Sequence, residues 1–303
     1  MGAAVSGGPD SLALLLLANA VLPGRVIAAT IDHGLRPESA QEAAFASAVC
    51  GRLGIDHEVV RVAVTPGNVQ DRARAARYDA LFRSFGSRGC DVVATAHHAD
   101  DQAETVLMRL ARGSGLAGLA GIRERRVEIA GEPPGEFLLL RPLLHWRRAE
   151  LADVIARAGI DPVRDPSNAD ARFDRVRIRA QLAALPDLDP LAIARSADLL
   201  QQAEAVVETA VARAIEASVH REGGRTWFHF GHPRMIEVEA VTAILRDLGA
   251  DAPRSAVARL IDQLNGDGHA TLAGIMVRRA WHRTGERSEV DAWLFEREPP
   301  RRG

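Results

Sequence analysis

The sequence predicts an α/β fold: a doubly wound parallel five-stranded sheet followed by a smaller C-terminal α+β domain. Three observations carry this. Through the first half, short apolar runs alternate with amphipathic stretches, the pattern of strands and helices in a parallel sheet covered on both faces. A long alanine-rich helical stretch follows, and then shorter runs punctuated by turn signals. Finally, 303 residues at 47% hydrophobic content favour two domains over one.

Taken in order, residues 2–5 form a short first strand, and Ser6-Gly7-Gly8-Pro9-Asp10-Ser11 leads from it into a helix ending near Asn19. Residues 26–31, rich in β-branched side chains, form the second strand. Residues 38–53 carry small side chains at helical spacing, among them Ala40, Ala43, Ala44, Ser47 and Ala48. Residues 58–62 are a third strand, and 69–85 an arginine-rich helix with Ala73, Ala76, Leu81 and Phe85 toward the core. A fourth strand spans 91–95 and a helix 99–110. After a glycine-rich link come a fifth strand at 137–140 and a helix at 147–158, entered at Trp146. One long helix covers 188–218. Beyond it lie a strand at 227–230, a helix at 234–248 ended by Gly249, and a helix at 255–264 preceded by Pro253. A hairpin at 268–279 turns around Ala273-Gly274, and 299–303 reads as a frayed tail. The expected division is one domain at 1–187, a connecting helix at 188–223 and a small α+β domain at 224–303. There is no internal repeat.

Composition removes several classes. All 38 basic side chains are arginine, because the sequence contains no lysine. A Walker-type phosphate loop, Schiff-base chemistry and an adenylated enzyme lysine are therefore absent. Codon bias is the simplest cause. The net charge of −2 announces no nucleic-acid partner, so any such partner must meet local patches. Cys50 and Cys90 form neither a CxxC pair nor a zinc spacing, which suits reduced thiols in a cytoplasmic setting. The apolar run 12–18 is too short to span a bilayer and has no basic residue before it, so neither export nor membrane insertion is expected. Met1 to Ser6 fits a myristoylation pattern by chance, since the glycine loop explains Ser6 better.

Four segments carry chemistry. Two glycines in Ser6–Ser11 let the backbone approach an anion, and amides at a helix start point at it. Ser6 and Ser11 add hydroxyls, and Asp10 can hold a magnesium ion or orient a reacting group. A tight turn with a helix cap would explain Gly7-Gly8 alone. The full string directly after the first strand favours phosphate binding. His33, within Ile31-Asp32-His33-Gly34-Leu35-Arg36, closes the second strand near any such nucleotide. The densest polar cluster is Thr95-Ala96-His97-His98-Ala99-Asp100-Asp101-Gln102-Ala103-Glu104-Thr105, at a strand-to-helix junction. His97, Asp101 and Glu104 have the spacing of one helix face. Acids at a helix start also serve as caps, which accounts for one aspartate but not the cluster. Arg109 and Arg112-Gly113-Ser114-Gly115-Leu116-Ala117-Gly118-Leu119 follow, arginines beside a glycine-rich segment suited to closing over substrate.

The Ser6–Ser11 string resembles the signature loop of the PP-loop ATP pyrophosphatases, the adenine nucleotide alpha hydrolase-like fold. These cleave ATP between its α- and β-phosphates and activate a carbonyl oxygen as an adenylate. With the cluster at 97–105, Arg112-Gly113-Ser114-Gly115, Arg72-Ala73-Arg74-Ala75-Ala76-Arg77-Tyr78, Arg141-Pro142-Leu143-Leu144 and Asp165-Pro166-Ser167-Asn168, the chain resembles the tRNA(Ile)-lysidine synthetase family. The resemblance covers about residues 3–182 and, more weakly, 188–280.

It implies a carbon–nitrogen ligase. ATP adenylates the wobble cytidine of the CAU anticodon of tRNA(Ile), pyrophosphate leaves, and the ε-amine of free L-lysine displaces AMP. ATP would be held by Ser6, Gly7, Gly8, Pro9, Asp10, Ser11 and His33, with Mg2+ at Asp10. Asp10, His97, Asp101 and Glu104 are the candidate catalytic residues. Asp101 and Glu104 suit magnesium or lysine contact, and either His97 or His98 proton transfer. Arginines 72, 74, 77, 109, 112, 141, 175, 177 and 179 would meet tRNA phosphates. Gly113, Ser114, Gly115, Asp165 and Asn168 join Arg72, Arg77, Arg112, Arg141 and Arg175 as tRNA or lysine contacts, and 224–303 would bind tRNA. A homodimer is left open.

The chain departs from the family in three ways. Arg175-Val176-Arg177 stands where the family commonly has Arg-Asn. The first strand is short, leaving room for a start upstream of Met1. The chain also matches a short form without the extra C-terminal domain that recognises the acceptor end. The rival readings are a tRNA thiolase, which would need a cysteine pattern not seen here, a GMP or NAD synthetase, and a non-catalytic nucleotide- or RNA-binding module.

Overall fold

A computed structural model describes the chain apart from residues 33, 35–38, 63–68, 132–133, 164–173, 186, 285–288 and 299–303, and without the side chains of 69–74. His33, Asp165, Asn168, the side chains of Arg72 and Arg74, and the tail at 299–303 lie outside the described residues. The chain divides into two units, Met1–Gln201 and Gln202–Gly303.

In the first unit, β1 (Gly2–Ala4), β2 (Ile27–Asp32), β3 (Asp56–Arg61), β4 (Val92–Ala94), β5 (Arg125–Ala130) and β6 (Gly135–Leu140) form one sheet, ordered β3-β2-β1-β4-β6-β5. The five expected strands are parallel. The sheet has six, because β5 lies antiparallel on the edge beside β6. Its Val127 and Ile129 are exposed, so β5 lacks the buried apolar residues that mark β2, β4 and β6.

The helices α1 (Pro9–Val21), α2 (Ser39–Arg52) and α6 (Arg148–Arg157) build one core with Ala3, Val5 and Ala28 of the sheet side. Leu12, Leu14 and Leu15 of α1 are all fully buried there. Burial of each contributes about 1.5–3 kcal/mol, so this helix needs no polar face. On the other side α3 (Val69–Ser87) packs Leu81, Phe82 and Phe85 against Val93, Phe137 and Leu139. A Cβ on Gly2 would stand 2.5 Å from the Phe85 ring, so glycine at this position permits the close approach of α3 to β1.

The topology places the site. From β1 the chain winds outward to β2 and β3, then returns to the opposite side of β1 as β4. This reversal opens a crevice at the carboxyl ends of β1 and β4, where open α/β sheets bind ligands. The loops 5–8 and 95–98 meet at this position. The remaining helices of this unit are α4 (Ala99–Ala111), α5 (Leu116–Leu119) and α7 (Asp174–Ala183), with the start of α8 (Pro190–Ser218). The division between units falls inside α8, where the sequence suggested a connecting helix. Its first turns belong to the first unit: Asp198 pairs with His145 at 2.7 Å, and Gln201 Nε2 donates to the Ala120 carbonyl at 2.9 Å.

The second unit is a five-stranded antiparallel sheet, ordered β7-β8-β11-β10-β9, from β7 (Val219–Glu222), β8 (Arg225–Phe228), β9 (His269–Leu272), β10 (Ile275–Arg283) and β11 (Glu289–Arg297). Helices α9 (Arg234–Asp247) and α10 (Arg254–Asp267) cover it, packing Ile244, Leu245, Leu260 and Ile261 against Phe228, Val277, Trp293 and Phe295. The expected hairpin at 268–279 is β9–β10. Its two-residue turn sets Ala273 at φ 51° and Gly274 at φ 79°, the positive pair a tight hairpin requires. Among the described residues, no helix is long and apolar enough to cross a membrane.

Candidate active site

The loop after β1 is shaped by its own hydroxyls. Ser11 Oγ donates to the Gly8 carbonyl at 2.9 Å and accepts from the Ser6 amide at 3.1 Å. Gly7 reverses the chain at φ 81°, and its carbonyl accepts from the Val163 amide. A Cβ there would meet the Glu42 carbonyl oxygen at 3.2 Å. Gly8 caps α1 with no side-chain hydrogen bond, and Pro9 takes the first helical position. The first-turn amides of α1 thus face the crevice without a competing side chain, which is an anion site.

Asp10 lies in that same turn. A carboxylate beside an anion site repels the anion unless cations offset it, and the surroundings supply them. His98, fully buried at the end of the loop after β4, sits among three carboxylates. Its Nε2 is 3.5 Å from both Asp10 Oδ2 and Asp101 Oδ2, and its Nδ1 is 3.5 Å from Asp100 Oδ2. At this separation the contacts are ionic, without full hydrogen-bond geometry. Burial alone would discharge the ring. Asp10 and Asp100 at its two nitrogens, with the charge of Asp101, outweigh burial and raise its pKa to about 9. Asp100 is half-buried, which opposes its ionisation, yet His98 and the Arg148 amide, 2.9 Å from its Oδ2, lower its pKa to about 2. The shift is larger on His98 because three carboxylates act on it together. Asp10 Oδ1 remains buried with no hydrogen bond, and Arg148 Nη2 stands 3.9 Å from Oδ2.

A cavity of about 530 Å³ opens beside this cluster, within the usual range for a small-molecule site. Of the expected residues, Ser6, Gly8, Pro9, Asp10, Ser11, Arg77, His97, Asp101 and Arg175 line it. His97 contacts Thr95 Oγ1 through Nδ1 at 3.0 Å. Thr30, Ser39 and Glu42 line it too without having been singled out from sequence, and Thr95, which opens the polar cluster at 95–105, joins them. Thr30 and Thr95 did offer a signal, as hydroxyl residues near the carboxyl ends of apolar strands. Ser39 and Glu42 offered none, being ordinary residues of a helix start. Thr30 Oγ1 donates to the Val5 carbonyl at 2.6 Å and meets His57 Nε2 at 2.8 Å, tying β2 to the loop.

Other expected residues lie off the cavity lining. Glu104, one turn beyond Asp101 on α4, does not line the cavity. It is buried against α7, where Arg179 Nε donates to Oε1 at 2.6 Å and Arg175 Nε stands 3.8 Å from Oε2. Arg112 reaches the same helix, donating to Asp174 Oδ2 at 2.8 Å. The glycine-rich segment, expected as a flexible closing loop, is fastened. Arg109 Nη1 donates to the carbonyls of Gly118 and Gly121, Gly115 caps α5, and Gln102 exchanges two hydrogen bonds with Ile122. Gly113 turns the chain at φ 69°, and Gly118 stands so close to Ser114 that a Cβ would meet its Cβ at 2.6 Å. Arg141, expected to meet phosphate, is only 5% exposed, and its Nη1 donates to the Arg123 carbonyl at 2.6 Å. It braces the sheet margin from inside.

The chain as a whole has known relatives. The model of the PP-loop domain matches residues 1–185. The tRNA(Ile)-lysidine synthase of Novosphingobium aromaticivorans is 45% identical over 305 residues, covering 99% of this chain and 89% of that protein. That of Zymomonas mobilis is 39% identical over 311 residues, covering 100% of this chain and 89% of its own. Among solved structures, the U34-tRNA thiolase NcsA from Methanococcus maripaludis superposes with a TM-score of 0.55 at 20% identity, over 66% of this chain and 71% of that one. At that identity the likeness is one of fold.

Proposed function

Because this chain belongs to the tRNA(Ile)-lysidine synthase family and carries its PP-loop domain, we propose that it ligates L-lysine to the wobble cytidine of a CAU-anticodon tRNA(Ile) at the expense of ATP. The site observation that supports this best is Asp10: a carboxylate with an orphaned buried oxygen, in the first turn of an uncapped helix, lining the cavity. The loop amides and the Ser6 hydroxyl bind the ATP phosphates. The carbonyl oxygen of the base attacks the α-phosphorus and pyrophosphate leaves. The lysine ε-amine, having lost a proton, then attacks the adenylated carbon and AMP leaves. Such transfers depend on alignment and charge neutralisation more than on a protein nucleophile.

Asp10 Oδ1 and the Asp101 carboxylate fit a magnesium ion, which when bound supplies positive charge against the phosphates. His98 keeps Asp10, Asp100 and Asp101 in register. With a pKa of about 9 it is an imidazolium at neutral pH, holds its proton and cannot serve as the base. His97, half-exposed on the cavity wall, takes the proton from the lysine ammonium, and Asp101 faces that cation. Glu104 acts through Arg179 and Arg175, positioning α7. Arg77, Arg112 and Arg175 meet tRNA phosphates from exposed positions, the second unit binds tRNA, and the reaction runs in the cytoplasm.

The test is AMP and pyrophosphate release with purified chain, ATP, lysine and transcripts. Release that requires the CAU tRNA(Ile) transcript is expected. Release independent of tRNA, or none from protein that binds ATP, contradicts the proposal.

A further inference from the structure

Among the described residues, one group of three metal-ligating side chains lies close enough to share an ion: His220, His229 and His282 of the second unit. His220 is on β7 and His282 on β10, while His229 follows β8 by one residue. The β7–β8 register sets His220 opposite Trp227. The His229 amide donates to the Ser218 carbonyl at 2.9 Å, carrying the pairing one step further. Side chains alternate along a strand, so His220, Trp227 and His229 share a face of the sheet. His282 reaches that face from β10, across β11, with its ring stacked on Trp227 at 4.8 Å between centroids.

The rings converge through their nitrogens. One ring nitrogen from each histidine lies within 4.8 Å of the others, and His229 Nε2 is 2.9 Å from His282 Nδ1. His282 is 4% exposed. Its second nitrogen, Nε2, is buried without a hydrogen bond, 3.9 Å from Glu222 Oε2. The His229–His282 approach is a hydrogen bond, but it does not account for the His220 nitrogen that converges on the same point.

We propose that His220, His229 and His282 bind a divalent transition-metal ion of the zinc class, with Glu222 orienting His282 through its Nε2. Neutral imidazoles suit zinc, copper and nickel rather than magnesium or calcium. A ligating histidine that turns its other nitrogen to a carboxylate is the usual outer-shell arrangement. Tetrahedral zinc with nitrogens at about 2.0–2.1 Å holds them about 3.3 Å apart, inside the 4.8 Å within which the three nitrogens already lie, and water takes the fourth position. The ion fastens the β7–β8 hairpin to β10 over the intervening β11. This site is separate from the proposed chemistry at Asp10.

The test uses the full chain, freed of metal by chelator and titrated with Co2+ and then Zn2+. The proposal expects one equivalent of Co2+ with the visible absorption of a four-coordinate nitrogen site, displacement by Zn2+, and a higher melting temperature with metal. His220→Asn and His229→Gln, both at half-exposed positions, should weaken binding by more than about 100-fold while circular dichroism stays native, and Glu222→Gln by about 10-fold or more. Absence of stoichiometric uptake with that absorption overturns the proposal. So does the same absorption retained by the His220→Asn/His229→Gln double variant.

Discussion

Replacing His98 by Gln should remove both stability and a distinct pH dependence. The folded chain raises the pKa of this ring from the ordinary 6.5 to about 9. At about 1.4 kcal/mol per pH unit, the three carboxylates contribute on the order of 3 kcal/mol. A group whose pKa is raised by folding gives its full contribution below the unfolded value and loses it as pH climbs through the folded one. Stability from His98 is therefore complete below pH 6.5 and lost by about pH 9. The low pKa of Asp100 reports the same contact from its partner and is not added. The window is clean. His57 and His229 are shifted downward, so their effects lie below pH 6.5, and buried Cys50, raised from 9.0 to about 11, acts only above 9. Hydrogen exchange of α1 and α4 amides, across pH 6.5 to 9, measures it. The wild-type opening free energy should fall by roughly 3 kcal/mol over this range. His98→Gln should start lower by a similar amount and stay flat. A flat wild-type profile, or the same slope in the variant, would refute an imidazolium at the centre of the site.

Other consequences can be checked alongside. Asp10→Ala should cut AMP formation at least about 100-fold while exchange protection of α1 is retained; near-normal turnover would remove Asp10 from the site. Gly7→Ala forces a Cβ into a φ of 81° and within 3.2 Å of the Glu42 carbonyl. It should cost about 1–2 kcal/mol in urea unfolding and weaken ATP binding by isothermal titration. Arg179→Ala strips the closest cation from buried Glu104 and should destabilise the first unit by about 2 kcal/mol, an effect that Glu104→Gln in the same chain should partly relieve. Cys50, with its pKa pushed to about 11 by burial, should resist alkylation by iodoacetamide at pH 8 in native protein, as read by mass spectrometry.

Much of this was legible because local pattern and global fold agreed. Ser6–Ser11 follows an apolar strand and opens a helix, so both its position and its chemistry could be read. Three of the parallel strands, β2, β4 and β6, announced themselves as short apolar runs with buried residues. β5 did not, because Val127 and Ile129 face solvent on an edge. β11 was missed for the opposite reason: its consecutive Trp293, Leu294 and Phe295 are all buried and show no alternation. The cluster at 97–105 was found as a unit, but its division of labour was not. Spacing three apart linked Asp101 and Glu104, but it could not show that Glu104 is held by Arg179 on α7, 75 positions along the chain, while Asp101 lines the cavity. Nor does linear sequence distinguish His97 from His98. One lines the cavity, and the other is enclosed by Asp10, Asp100 and Asp101, a difference of packing.

Incorporation of labelled lysine into tRNA transcripts tests the central claim most directly. The account predicts that purified chain with ATP transfers lysine to the CAU-anticodon tRNA(Ile), one per tRNA, with one AMP and one pyrophosphate released, and transfers none to methionine tRNAs. ATP-binding protein that leaves lysine free in the presence of this tRNA would contradict it.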